Sequence, residues 1–205
     1  MGRQPVVDLW AGHTDTARTQ PWDEHTIVNL YSVGKAVTAV CALRLVEGGA
    51  LDLDSPVSRY WPEFARAGKK HLPVRYLLTH QAALPAVFPA LPLGAELRWE
   101  VMTEALAAQE PWWEPGAGHG YHVNTYGFLI GEVIQRITGK SLGTYLRDEI
   151  ARPAGIDFFI GFGPELDARC AQVIPPRPGP DTEEGRKLLD GDLPTLTGLQ
   201  RMRAG

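Results

Sequence analysis

Two stretches of the chain repeat apolar residues at helical spacing. From Val33 they fall at Val33, Val37, Val40, Cys41 and Leu45, while Arg44 and Glu47 lie off that face. Gly48-Gly49 supplies a C-terminal stop, so the pattern predicts a helix that opens at Ser32. From Asn124 to Thr138 a second helix turns Tyr126, Leu129, Ile130, Val133, Ile134 and Ile137 inward, and Gly139 ends it. Ser141 can cap a third helix running to about Ile150, with Pro153 as its stop. Glu96 to Ala108 is also helical by pattern, and Val74 to Thr79 is a short helix or strand ending at His80. Ser55 before Pro56 reads as a structural helix start. Val6 to Trp10 and Thr26 to Leu30 read as strands, predicted to pair as antiparallel neighbours across the polar turn region 15–23. Residues 81–95 carry Pro85, Pro89 and Pro92 without a clear period and form a long loop. Pro111 to Gly120 is a second loop, rich in Trp, Pro and Gly, and 175–194 reads as an exposed excursion. The pattern is therefore mixed α/β, and two strands alone make a poor sheet.

Composition narrows the class. The chain has 205 residues, enough for one domain with a real core, and is 44% hydrophobic and 21% charged, as soluble globular proteins are. A net charge of −4 argues against a nucleic-acid surface. No run of about 18 apolar residues predicts a membrane span. Met1 to Trp10 shows neither an apolar leader core nor a small-residue cleavage site, so the expected location is cytoplasmic. Cys41 falls on the apolar face of the first helix, which favours a buried free thiol over a bond to the distant Cys170. No Cys/His cluster has metal-binding spacing.

Candidate chemistry centres on Ser32-Val33-Gly34-Lys35. A serine and a lysine three apart share a helix face, one turn from each other. A serine at the first turn of a helix has backbone N–H groups beside it that can hold an oxyanion, and the lysine can activate it. An ordinary lysine, with a pKa of about 10.4, is protonated at neutral pH and is no base unless its surroundings change it. Tyr121 is the candidate second group: it follows the glycine-rich Pro115-Gly116-Ala117-Gly118-His119-Gly120, and a tyrosine beside a lysine can ionise. Taken singly, Tyr121 reads more readily as a packed aromatic at the surface edge. His80, His119 and His122 are the rival bases, all in loops, but Ser32 lacks the Gly-x-Ser-x-Gly elbow that accompanies many Ser-His-Asp sites. Trp112 and Trp113 can line an acyl pocket or anchor a loop.

Five segments in order, Tyr31-Ser32-Val33-Gly34-Lys35-Ala36-Val37, Glu47 to Val57, Leu77-Leu78-Thr79-His80-Gln81-Ala82-Ala83-Leu84-Pro85, Pro115-Gly116 with Tyr121, and Tyr126 to Glu132, resemble the serine β-lactamase-like family. The nearest likeness is to its carboxylesterase branch, the family VIII esterases, which are similar to class C β-lactamases and D-alanyl-D-alanine carboxypeptidases. The resemblance covers about residues 5–160. It implies an α/β (α+β) fold of β-lactamase/transpeptidase type: an antiparallel sheet flanked by helices, plus a mostly helical region. It implies acyl-enzyme chemistry without a cofactor on a small-molecule ester, with Ser32 as nucleophile, Lys35 beside it, and Tyr121 as base and then acid. Val123 and Trp113 are the expected substrate-binding residues.

Three departures refine this expectation. The penicillin-recognising branch has Tyr-x-Asn, whereas Val123 stands at the third position here and Asn124 comes one residue late, facing elsewhere on a helix. This favours ester over lactam. Ala83 stands where the family has glycine, with strain expected if its φ is positive. The family's later Lys-Thr-Gly-like strand has only a faint echo in Thr197-Gly198, so the expectation is a partial hydrolase domain over 1–174 and a Pro/Gly-rich excursion over 175–205. The alternatives are a β-lactamase or D-Ala-D-Ala carboxypeptidase, and an inactive or non-enzymatic homologue.

Overall fold

The computed structural model describes residues 6–174. The excursion expected at 175–205 and the Thr197-Gly198 echo lie outside the described residues. The described chain forms two compact units, one from 6–29 with 163–174 and the other from Leu30–Phe162.

In the first unit, the strand pair expected from the sequence does not form. Val6, Val7 and Leu9 are strongly exposed, and neither 6–10 nor 26–30 is part of a named strand. Isolated bridges take their place, antiparallel between His13 and Pro21 and parallel between Ile27 and Cys170. The physical reason is pairing: a strand needs a neighbour along its length, and a lone two-stranded ribbon is marginal in water. The turn between the two segments is built by Asp15, whose carboxylate accepts from the amides of Thr19 (2.9 Å) and Gln20 (3.0 Å).

The second unit is helical. Its elements are α1 (Val33–Glu47), α2 (Val74–Leu78), α3 (Trp99–Ala108), α4 (Tyr126–Thr138) and α5 (Leu142–Leu146). Helix α4 is the hub and packs against α1, α2, α3 and α5. Its apolar stripe is the reason: Leu129, Ile130, Val133 and Ile134 are all buried, as their spacing predicts. Gly139 closes α4 in the left-handed region at φ 70°, and its N–H donates to Gln135 O. Glu132 is buried on the same helix, where it accepts from Trp99 Nε1 (2.6 Å) and Arg136 Nε (2.8 Å). Cys41, Leu45, Trp61, Phe64, Leu77, Leu84 and Leu106 complete the core. No helix among the described residues is long and apolar enough to cross a membrane.

Four local expectations are corrected. On α1 the buried residues are Thr38, Cys41, Ala42 and Leu45, while Val33 and Val40 are exposed. That helix is apolar on nearly every side, so periodicity alone does not select the face that packs. Pro153 does not stop α5: the chain continues through a widened turn at Arg147–Ala151 and a last turn at Arg152–Ala154, ending at Gly155 with φ 63°. The widened turn, where Arg152 N–H reaches Arg147 O, accommodates the residue that has no N–H. Ser55-Pro56 introduces only a three-residue 3₁₀ turn, Val57–Arg59, and the Ser55 hydroxyl donates to Asp52 instead of capping it. Asn124 precedes α4 rather than lying on it. Both cysteines are free, and burial pushes the Cys41 thiol up to about 11.

Candidate functional site

Ser32 is the residue immediately before α1, with φ −71° and ψ −9°, and its side chain makes no capping bond. Tyr31 before it holds φ 45°, a left-handed conformation costly for a bulky residue. That sharp entry leaves Ser32 exposed at the head of the helix. The amides of Val33, Gly34 and Lys35 are taken by the carbonyls of Leu30, Tyr31 and Ser32. The Ser32 amide has no such partner among the described residues. Lys35 lies one turn on, and its Nζ donates to Ser32 Oγ (3.2 Å) and to the main-chain carbonyl of Val123 (2.8 Å).

Two loops bring Tyr121 to this point. The loop after α2 and the loop before α4 are joined by main-chain bonds: Trp112 N–H to Ala83 O, Gly116 N–H to Gln81 O, and Gly120 N–H to His80 O. His80 and Ala83 take the bends at φ 61° and 58°, so the strain expected at Ala83 is present. Gly116, at φ 88°, lies against the Tyr76 ring, leaving no room for a side chain. Gly120 lies against the Trp113 indole in the same way. Tyr121 follows, half-exposed, with Lys35 Nζ 4.9 Å from its ring centroid and the His80 ring 4.8 Å away.

Electrostatics favour an ionisable phenol. A hydrogen bond from Ser32 holds the Tyr121 phenol below the usual tyrosine range; desolvation opposes it, and a hydrogen bond and charge from Lys35 add to the lowering. Burial, with the charges of Lys35 and His119, holds His80 below the usual histidine range. Its Nδ1 accepts the His122 amide at 3.1 Å. His122 is fully buried, and burial pushes it down to about 4. Its Nε2 accepts from Leu84 N–H (3.1 Å), so its proton sits on Nδ1, which donates to Gly120 O (2.6 Å). Both ring nitrogens of His122 are thus engaged, and no histidine is hydrogen-bonded to Ser32 among the described residues.

The structure therefore brings Ser32, Lys35 and Tyr121 together, with Val123 beside them. Val123 touches Lys35 through its carbonyl, while the residue as a whole is 43% exposed. A main-chain contact of this kind leaves no mark on residue type. Trp113 supports the Tyr121 loop through Gly120. Thr125 is a further member: its Oγ1 donates to Leu84 O at 2.6 Å, holding the other side of the residue that His122 grips.

Residues 2–199 match the family described as Beta-lactamase. Esterase/beta-lactamase LipL of Mycobacterium tuberculosis is 36% identical over 176 residues, covering 85% of this chain and 41% of that protein. The solved structure of a family VIII carboxylesterase superposes with a TM-score of 0.79 at 40% identity, over 82% of this chain and 47% of that one. A penicillin-binding protein homologue from Caulobacter crescentus gives 0.78 at 34% identity, over 91% and 52%. The chain thus spans roughly half the length, or less, of these relatives. Their shared fold is of β-lactamase/transpeptidase type, and the part described here is its helical portion, with few strand contacts.

Proposed function

This chain belongs to the beta-lactamase family, and on that premise we propose that it is a serine hydrolase cleaving small carboxylic esters through an acyl-enzyme on Ser32. The observation that carries the reading is the convergence of Ser32 and Lys35 on the Tyr121 phenol, which both stabilise in its ionised form. As phenolate, Tyr121 takes the Ser32 hydroxyl proton while Oγ bonds to the ester carbonyl carbon. The carbonyl electron pair moves to oxygen, and the Ser32 amide donates to that oxyanion. Collapse reforms the carbonyl and breaks the bond to the alcohol, and Tyr121 returns its proton to the departing alkoxide. Water then enters by the same route: its proton passes to Tyr121, its oxygen bonds to the acyl carbon, and Ser32 leaves with the proton. Lys35 holds the phenolate, and Val123 holds Lys35.

Esters are favoured over lactams because Val123 offers an exposed apolar side chain where the penicillin-recognising branch carries an amide. Trp113, behind Gly120, flanks the same edge. Two of the similar proteins are named as esterases, LipL also as a β-lactamase. A fluorophosphonate probe tests the reading: a mass increase on Ser32, absent from Ser32→Ala, is expected. A folded sample that takes up no probe rejects it. Nitrocefin turnover above that of a short-chain p-nitrophenyl ester would replace esters by lactams as the substrate.

A further inference from the structure

We infer that His122 is the positioning residue for Tyr121, acting with His80 as a pair of neutral imidazoles in opposite tautomers that clasp both loops of the site. The inference rests on the Ser32–Lys35–Tyr121 reading above. Tyr121 is half-exposed and follows a run with Gly116, Gly118 and Gly120, so its own segment does little to hold a phenol in place. Beside the main-chain bond from Gly120 to His80, the ties on either side of it converge on His122. Nδ1–H donates to the carbonyl of Gly120, the residue before Tyr121. The His122 amide, on the residue after Tyr121, donates to His80 Nδ1. Nε2 receives the Leu84 amide and so ties the Tyr121 loop to the Ala83-Leu84-Pro85 turn, with Thr125 holding the Leu84 carbonyl.

This wiring dictates protonation. The Leu84 amide can donate to Nε2 only if that nitrogen carries no proton, so His122 is the Nδ1–H tautomer. The His122 amide can donate to His80 Nδ1 only if the His80 proton is on Nε2. A proton added to either ring breaks one of these bonds. The groups that face Tyr121 are Ser32 immediately before α1, Lys35 on α1, His80 from the loop after α2, and Tyr126 from α4, while His119 acts on His80 through its charge. His122 faces no reacting atom and is fully buried, so it works through Tyr121 rather than on substrate.

Nitrogen NMR of histidine-labelled wild-type protein at neutral pH should show His122 as Nδ1–H and His80 as Nε2–H. The opposite tautomer at either ring, or a charged His122, overturns the proposal. His122→Phe, which cannot accept from Leu84, should return Tyr121 ionisation to the ordinary tyrosine value of about 10. Tyrosinate absorbance reads this, by difference from the same protein carrying Tyr121→Phe. The variant should also slow fluorophosphonate labelling of Ser32 about 100-fold, the cost of a misplacement of about 1 Å. His122→Gln, whose Oε1 can take the Leu84 amide, should restore part of both. An unshifted Tyr121 in folded His122→Phe, or equal defects in folded Phe and Gln variants, overturns the proposal. If His122→Phe does not fold, the wild-type tautomers decide. If wild-type Ser32 is never labelled, the ester reading fails, while the tautomers and the Tyr121 titration still judge the clasp.

Discussion

Lys35 Nζ lies closer to the carbonyl of Val123, at 2.8 Å, than to Ser32 Oγ, at 3.2 Å. The lysine is therefore anchored by main chain from the loop before α4, and its contact with the serine is the looser of the two. That arrangement fits a cation that stabilises a neighbouring phenolate better than a base that must shuttle a proton.

Tyr121→Phe removes the proposed proton acceptor and donor while leaving the ring's contact with His80 possible. Turnover of a short-chain ester, or labelling of Ser32, should fall by roughly 10²–10⁴-fold, the usual worth of general acid–base catalysis. Far-ultraviolet circular dichroism and the unfolding midpoint should hardly move, because the side chain is half-exposed. An unchanged rate would assign the proton transfer elsewhere.

The pH profile should carry the signature of Tyr121. Its phenol is held below the ordinary range by Ser32 first and by Lys35 next. In the proposed mechanism the active form is deprotonated, so activity should rise as pH climbs through that value. Lys35→Met removes one of the stabilising partners, and the rising limb should move to higher pH. A limb that stays in place would show that Lys35 does not act on the phenol.

Stability should depend on His122 in acid. Its folded value is about 4, against about 6.5 unfolded, so between these values the unfolded chain binds more protons. Stability from this group is complete above about 6.5 and is lost as pH falls towards 4, on the order of 3 kcal/mol in all. Chemical denaturation at a series of pH values measures it. The slope should weaken in His122→Gln.

Ala83 sits at φ 58° with its side chain fully buried. A left-handed alanine is strained by roughly 1–2 kcal/mol, whereas glycine adopts that conformation freely at the cost of some chain entropy. Ala83→Gly should therefore raise the denaturation midpoint, by up to about 1 kcal/mol of stability. A fall would mean that the methyl group's packing outweighs the strain.

The sequence pattern makes the two long helices legible because helical periodicity is local: Leu129, Ile130, Val133 and Ile134 mark the buried stripe of α4 unaided. Ser32, Lys35 and Tyr121 stand out by residue type, spacing and family resemblance. The strand segments are not legible in the same way. Whether Val6–Trp10 becomes a strand depends on a partner, and no local signal carries that. The packed side of α1 is hidden because Val33, Val40 and Leu43 are as apolar as the residues that are buried. The Val123 carbonyl and the two ring bonds of His122 are invisible for another reason: they depend on main-chain positions that any residue could supply.

The bonds that join the two site loops run from main chain to main chain, through Trp112, Gly116 and Gly120. Alignment of the phenol therefore does not depend on the outward side chains of the second loop, among them the exposed Glu114, Ala117 and His119. Such a loop can drift in sequence at its surface without losing its geometry. Under the proposed ester reading, preference for one ester over another is then free to evolve separately from the ability to perform the reaction.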